Sequence, residues 1–148
     1  MVKQLLLAFS LTCITVIIHA FGTVYFVLPI AGVWNTKRDN IKVSAATMIL
    51  MRLVGGLLFL HVLEMTIWAG VFTIVGMLPD FETSLYFSLK SYTTVGYGDV
   101  LPAPEWRLVG PLEAAVGVLM LGWSTGFIVA AVQQIFANRP ELPVKRDT

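Results

Sequence analysis

The sequence predicts an all-α membrane protein with three transmembrane helices and a shorter helix that enters the membrane without crossing it. Of the 148 residues, 57% are hydrophobic and only 13% are charged, whereas charged residues make up about a quarter of a typical soluble domain. Three apolar segments exceed the about 20 residues that a helix needs to cross the hydrocarbon core. The net charge is +1 and no basic run occurs, so the composition does not indicate a nucleic-acid partner.

The first apolar segment extends from Gln4 to Trp34. We expect it to form one uncleaved helix that is tilted or bent near Pro29. The alternative is that residues 1–20 are a signal peptide, with Lys3 as its charged end. Cleavage would leave only residues 21–34, which are too few to span a bilayer, so we favour the uncleaved helix.

The second apolar region runs from Val43 to Leu78, after a polar break at residues 35–42. We expect residues 43–51 to lie along the membrane interface, with the Arg52 side chain extending toward the lipid headgroups. Residues 53–78 would then make the second crossing.

A short helix is predicted directly after Pro79. Asp80 is a suitable N-cap, and Glu82 places a second negative charge where a helix N-terminus favours it. The helix would extend over Phe81 to Tyr92, or residues 80–92 with its cap. It is too short to cross the bilayer, so we expect it to be re-entrant and surrounded by protein.

A glycine-containing motif, TTVGYGD at residues 93–99, follows this short helix. Gly96 and Gly98 allow backbone torsions that side chains forbid, as a strand requires when its carbonyls all point one way. Four such strands around an axis would stack rings of oxygens that can replace the hydration shell of a potassium ion. The motif resembles, without a substitution, the selectivity filter of the potassium-channel superfamily, and the resemblance covers about residues 53–136.

The resemblance implies a homotetrameric, potassium-selective channel in a lipid bilayer, with one filter strand from each chain. The implied K⁺ sites are lined by the Thr94 hydroxyl and by the carbonyls of Thr94, Val95, Gly96 and Tyr97. Gly98 would permit the turn beyond them, and Asp99 would lie at the outer mouth. No cofactor is implied besides the permeant ion, and no nucleophile–base pair in the sequence indicates an enzyme.

The resemblance also predicts how the filter is supported. The side chains of Val95 and Tyr97 would point away from the ions and pack against Tyr86 and Phe87, with Thr93 just before the filter. Many relatives have a tryptophan where this chain has Phe87, and phenylalanine cannot donate a hydrogen bond. A weakly selective cation channel therefore stays open as an alternative. Another class, a non-conducting regulatory or assembly subunit, stays open too.

The last apolar segment, residues 108–136, is the predicted inner helix. Together with the preceding elements it defines a pore domain at residues 43–138, between an N-terminal part, residues 1–42, and a polar tail, residues 139–148. Small residues along this helix favour close packing. For Gly117, close packing and bending as a gating hinge are equally open, because relatives often have a hinge glycine near this position. These small residues are Gly110, Ala114, Ala115, Gly117, Gly122, Ser124, Thr125 and Gly126.

The charges predict the orientation in the membrane. The polar break and the tail carry six basic residues, and the positive-inside rule makes both cytoplasmic. The segments around the filter are mainly acidic, which suits the outside. Three crossings then place the N-terminus outside and the C-terminus in the cytoplasm of a cell whose plasma membrane holds the protein. The basic residues are Lys37, Arg38, Lys42, Arg139, Lys145 and Arg146, and the acidic ones are Asp80, Glu82, Asp99 and Glu105.

Two charged residues, Lys90 and Glu113, are predicted to lie behind the filter at membrane depth, where an unpaired charge costs about 2.5–3.5 kcal/mol or more. Lys90 lies four residues before Thr94, and Glu113 lies at a comparable depth in the inner helix. A Lys90–Glu113 pair behind the filter would account for both charges. Asp99 is the rival partner for Lys90, and solvation of each charge by water is a further alternative.

Three polar residues form a predicted intramembrane cluster. His61 and Glu64 share one face of the second helix, because they are three residues apart, and His19 lies in the first helix. The cluster is either a hydrogen-bonded group that holds the first helix in place, which we favour, or a proton sensor. We do not expect a metal site, which would need more ligands at better spacing.

Overall fold

The computed structural model describes residues 1–26 and 43–137 in full and the backbone of residues 27–34. Its elements are α1 (Val2–Trp34), α2 (Val43–Ile74), α3 (Phe81–Tyr92), a 3₁₀ turn (Pro104–Trp106) and α4 (Val109–Ala137). The described ranges contain no strand, and α1, α2 and α4 are long and apolar enough to cross a membrane. The predicted all-α class with three spanning helices is therefore confirmed. The polar break at 35–42 and the tail at 139–148 lie outside the described residues.

The predicted boundaries of the second crossing need correction. Residues 43–51 are the first turns of α2 and not a separate interface segment, because nothing between Met51 and Leu53 stops a helix. The Arg52 side chain is exposed, on the surface of this continuous helix. The C-terminal end of the second crossing also comes earlier than the predicted Leu78, because α2 ends at Ile74. A turn follows in which Gly76 has a φ of 67°.

The pore-helix position is fixed by an aromatic core. Trp68 and Phe72 of α2 are fully buried, and their ring centroids lie 5.8 Å apart. Phe72 makes a similar edge contact, also at 5.8 Å, with Phe87 of α3. Such edge-to-face contacts add to the free energy gained from burial, so α3 is packed tightly against α2.

Helix α1 packs against both α2 and α4. Thr15 of α1 accepts a hydrogen bond from the Trp68 indole at 2.8 Å. Near the start of α1, the Gln4 side-chain oxygen accepts a 3.1 Å bond from the backbone N–H of Leu108, and Lys3 lies 5.8 Å from the Trp106 ring centroid. The N-terminal end of α1 therefore lies on the same side of the molecule as the linker that follows the filter.

Candidate functional site: the filter and its supports

The short helix before the filter begins and ends at the predicted residues. Asp80 caps α3, because its carboxylate accepts bonds from the Thr83 backbone N–H at 2.8 Å and from the Thr83 hydroxyl at 2.9 Å. These bonds favour the ionised carboxylate, and the backbone one contributes most to lowering the pKa of Asp80. At the other end, α3 stops at Tyr92 and leads directly into residues 93–99.

The filter backbone alternates between two classes of torsion. Thr94, Gly96 and Gly98 have φ values of 62°, 53° and 76°, while no other non-glycine residue in the described ranges has a positive φ. Positive φ at a β-branched residue such as Thr94 is a genuine outlier that surrounding structure must hold in place. An alternating strand of this kind suits carbonyls that all face one side, as the motif predicts.

Two backbone hydrogen bonds tie the filter to the pore helix. The N–H of Thr94 donates to the Ser91 carbonyl at 2.9 Å, and the N–H of Gly96 donates to the Lys90 carbonyl at 3.1 Å. Both acceptors belong to the last turn of α3, whose carbonyls have no partner within the helix. Filter donors therefore bond to the pore helix, which leaves the filter carbonyls available for another ligand.

The filter side chains are open to the outside of the single chain. Val95 is 50% exposed and Tyr97 is 75% exposed. Within one chain, half of the Val95 surface and most of the Tyr97 surface are therefore left uncovered. The Tyr86 hydroxyl donates to Asp99 at 2.5 Å, and Phe87 is buried against Phe72.

Lys90 bonds to the outer end of the filter strand. Its Nζ lies 2.6 Å from Asp99 Oδ1 and donates to the Val100 carbonyl at 2.8 Å. The same nitrogen lies 5.2 Å from the centroid of the Tyr86 ring. The predicted Lys90–Glu113 pair is therefore wrong, and the rival partner Asp99 is the one found. The flexible lysine stem reaches the C-terminal end of the filter, where both acceptors lie.

Asp99 is consequently held in its ionised form. The Lys90 ammonium, followed by the Tyr86 hydroxyl, lowers the pKa of Asp99 from its ordinary value to about 2. Because hydrogen bonds to a carboxylate stabilise its charged form, Asp99 keeps its charge until the pH falls to about 2.

Glu113 has a different partner. It is fully buried, and its Oε1 lies 2.5 Å from the Ser88 hydroxyl, which also lies 2.9 Å from the Met65 carbonyl. One hydroxyl proton cannot serve two acceptors. Both contacts are satisfied when Glu113 keeps its own proton and donates it to Ser88, while Ser88 donates to Met65. The second carboxyl oxygen of Glu113 has no hydrogen-bond partner in the described part of the chain.

The three residues of the predicted polar cluster do lie together. His19 Nδ1 is 2.8 Å from Glu64 Oε1, and ligand atoms of His19, His61 and Glu64 lie within 4.8 Å of one another. Sequence reasoning missed two further members, Tyr92 and Ser124. A polar side chain in an apolar helix was the available signal for Ser124, whereas Tyr92 could equally have been an ordinary core aromatic.

Gly117 lies where α4 crosses the end of the pore helix. A Cβ atom placed on Gly117 would lie 2.0 Å from the Tyr92 carbonyl oxygen, and one on Gly110 would lie 2.9 Å from the Phe87 ring. Similar atoms on Gly122 and Gly126 would meet nothing within 4 Å in this chain. Close packing therefore accounts for Gly117, whether or not the residue also acts as a hinge.

A re-entrant helix, a filter strand that it supports, and spanning helices on either side define the pore-loop class of membrane channels. The sequence profile of an ion channel family matches residues 60–134, about half of the chain. The chain belongs to this ion channel family. Its resemblance to the potassium-channel superfamily is confirmed, and the matched family is one of ion channels rather than of enzymes.

Three relatives share the pore region. The chain is 46% identical over 68 residues to TWiK family of potassium channels protein 18 of Caenorhabditis elegans. It is 36% identical over 63 residues to the calcium-gated potassium channel TvoK of Thermoplasma volcanium. It is 38% identical over 60 residues to the potassium voltage-gated channel protein shk-1 of C. elegans.

The matches cover 46%, 42% and 40% of this chain but only 13%, 18% and 11% of the respective relatives. The similarity is thus confined to a small part of much longer proteins. No solved structure matches the chain.

Proposed function

We propose that this chain is one subunit of a potassium-selective channel that conducts K⁺ passively through four filter strands around a common axis. The observation that carries the proposal is the alternating backbone at residues 94–98, with its amides bonded to the pore helix. The names of the three relatives, all potassium channels, support the choice of ion.

In this proposal, K⁺ loses its hydration water to rings of protein oxygens. The Thr94 hydroxyl and the carbonyls of residues 94–97 would supply these oxygens, four copies at each level. Each carbonyl oxygen then replaces a water molecule in the coordination shell of the ion. Because the sites are closely spaced, an entering ion displaces the one ahead of it. Gly98 turns the strand beyond the last site, while Tyr86 and Lys90 hold Asp99 at the mouth.

The pore helix contributes a second electrostatic effect. Its C-terminal turn ends at Tyr92, at the inner end of the filter, where the helix dipole is partially negative. A cation beneath the filter is stabilised by four such helix ends. Helix α4 would line this cavity, with Gly117 as a point of close packing and, if it also bends, as a gating hinge.

We also propose that the N-terminus and the filter mouth face the outside of a plasma membrane. The support is that the start of α1 bonds to Leu108 beside the filter linker, and that basic residues are concentrated in the two segments predicted to be cytoplasmic.

A weakly selective cation channel is the second candidate. Phe87 is buried among apolar residues and offers no hydrogen bond to a filter side chain. A filter braced mainly by Lys90, Tyr86 and Asp99 could deform enough to admit Na⁺.

The test is ion flux through purified full-length protein in liposomes. We expect potassium current whose reversal potential follows the K⁺ gradient when Na⁺ replaces K⁺ on one side. Gly96→Ala should abolish the current, because a Cβ is strained at a φ of 53°. Gly55→Ala is the matched control, since a Cβ there meets nothing within 4 Å.

Each outcome decides between the candidates. A reversal potential near zero in mixed K⁺ and Na⁺ would establish the weakly selective channel instead. Correctly folded protein that passes neither ion would support the non-conducting regulatory or assembly subunit.

A further inference from the structure

Five buried side chains from four helices form a closed ring of hydrogen bonds, called here the polar ring. Its members are His19 (α1), His61 and Glu64 (α2), Tyr92 (α3) and Ser124 (α4). Glu64 contacts His19 at 2.8 Å and the Tyr92 hydroxyl at 2.6 Å through its two oxygens. His61 contacts Tyr92 at 2.9 Å and Ser124 at 3.0 Å through its two ring nitrogens. Ser124 closes the ring to His19 Nε2 at 3.2 Å.

The number of protons in the polar ring matches its number of hydrogen bonds. Five bonds require five protons, and five neutral members carry one each: a carboxylic acid, two neutral imidazoles and two hydroxyls. Each member can then donate once and accept once around the whole circle. Moving the Glu64 proton to a histidine changes the charges of two members but leaves the count at five.

Any change in the proton count breaks one link. If the ring loses a proton, four protons must serve five contacts, so two acceptors face each other. If it gains one, two N–H or O–H groups point at the same contact. Either change leaves a buried polar group unsatisfied, which is costly because no water replaces the lost partner.

Within the described residues, no charged group outside the polar ring forms a hydrogen bond or ion pair with one of its members. The ionisable group Glu113 of α4 lies nearby, on the same face of α3. It bonds to Ser88, which precedes Tyr92 by one helical turn. The neutral Trp123 ring lies on one side of the polar ring, with its centroid 5.6 Å from the His19 ring centroid. His61 and Ser124 retain 5% and 4% exposure in the single chain, and they meet where α2 contacts α4.

Tyr92 connects the polar ring to the filter. Its hydroxyl belongs to the ring, while its carbonyl oxygen lies so close to Gly117 that a Cβ there would be 2.0 Å away. Two residues later in the chain, Thr94 begins the filter with a φ of 62°. A displaced Tyr92 side chain would therefore move the inner end of the filter as well as the α4 contact.

We propose that the polar ring is a proton-sensitive link between α1 and the inner end of the filter, closed at net zero charge and loosened when one proton is gained or lost. The link itself stands on the geometry of one chain. Its effect on conduction rests on the proposed channel function, so the test measures stability and flux separately.

The first measurement is the melting temperature of the purified full-length protein in detergent between pH 5 and pH 9, followed by tryptophan fluorescence. Wild type should melt highest at an intermediate pH and fall by roughly 2–8 °C on each side as one hydrogen bond is lost. In Glu64→Gln, the melting temperature should still fall at acid pH but should no longer fall at alkaline pH. Glutamine still donates to His19 and accepts from Tyr92, but it has no proton to lose.

Glu113→Gln is the matched control, since it makes the same change in a buried carboxyl outside the polar ring. It should leave both sides of the melting profile as in wild type. Tyr92→Phe opens the ring at every pH. Its melting temperature should therefore be lower than that of wild type and should not vary with pH. If Tyr92→Phe does not fold, Ser124→Ala makes the same comparison at another member.

A wild-type melting temperature that is constant over this range would overturn the proposal. So would an alkaline decrease of equal size in wild type and Glu64→Gln. In liposomes, potassium flux should fall at the same pH values as the melting temperature. A bell-shaped melting profile without any potassium flux would retain the link and reject the proposed channel function.

Discussion

At the scale of single residues, two charged side chains near the filter bond to different partners: Lys90 to Asp99, and Glu113 to Ser88. Lys90 and Glu113 both stand out in an apolar context, yet a lysine side chain can reach acceptors in several directions. The choice between Asp99 and Glu113 depends on the path of the chain from Tyr97 to Val100. Ser88 supplies the partner of Glu113, and a serine in a short helix gives no signal that it will do so.

The Lys90–Asp99 pair makes a prediction about acid. Its contribution is present above the ordinary pKa of an aspartate and is lost as the pH falls through the lowered value of about 2. Lys90→Met removes the largest cause of the lowering, so Asp99 should take up a proton between about pH 5 and pH 3. Potassium flux at external pH 4 should therefore fall relative to pH 7 in Lys90→Met.

Arg107→Met removes another cation from the same side of the molecule without touching Asp99, and it should show no such acid effect. Equal ratios of flux at the two pH values in Lys90→Met and Arg107→Met would show that Lys90 does not control the ionisation of Asp99.

At the scale of helices, prediction succeeded where the sequence contains a stop signal. Pro79 and the Asp80 cap fixed the start of α3, and the filter motif fixed its end. The separation of residues 43–51 from the second crossing was wrong because residues 43–53 contain no helix breaker, and a single arginine does not interrupt a helix. The contact between α3 and α4 could not be predicted, since glycines serve packing and bending alike.

Gly117→Ala tests that contact. A Cβ 2.0 Å from the Tyr92 carbonyl forces α4 away from the pore helix, so we expect a loss of stability of about 1–3 kcal/mol. Gly70→Ala, where a Cβ has open space, should be neutral or stabilising by up to about 1 kcal/mol. Denaturant or thermal unfolding in detergent measures both variants.

The comparison also separates the two roles of Gly117. If Gly117→Ala melts like wild type but changes the open probability of the channel, bending is the role of this glycine and packing is not.

At the scale of the whole molecule, a single chain leaves the side chains of its filter largely uncovered. Val95 and Tyr97 are largely exposed, and a groove of about 550 Å³ runs beside the filter strand, lined in part by Lys90, Pro102 and Gly110. Exposed apolar and aromatic groups next to such a groove are typical of a surface that another protein covers. The sequence resemblance predicts four copies of this chain.

Native mass spectrometry in a mild detergent should therefore show four chains of 16.3 kDa each. Tyr97→Ser should shift the distribution toward smaller species, because Tyr97 is the largest exposed side chain of the filter. Tyr25→Ser removes an equally exposed tyrosine from α1 and is the control. Monomers or dimers alone in the wild type would count against ring closure.

The left-handed torsion at Thr94 has a consequence for how long the filter keeps its shape. A β-branched residue at this φ stores on the order of 1–3 kcal/mol. Two backbone bonds to the pore helix and the bonds of Lys90 and Tyr86 to Asp99 restrain the strand. We therefore expect a relaxed arrangement of the same segment to lie close in free energy to the strained one. Any ligand that binds the strained carbonyls better shifts the populations toward them. The permeant ion would thus also stabilise the filter conformation through which it passes.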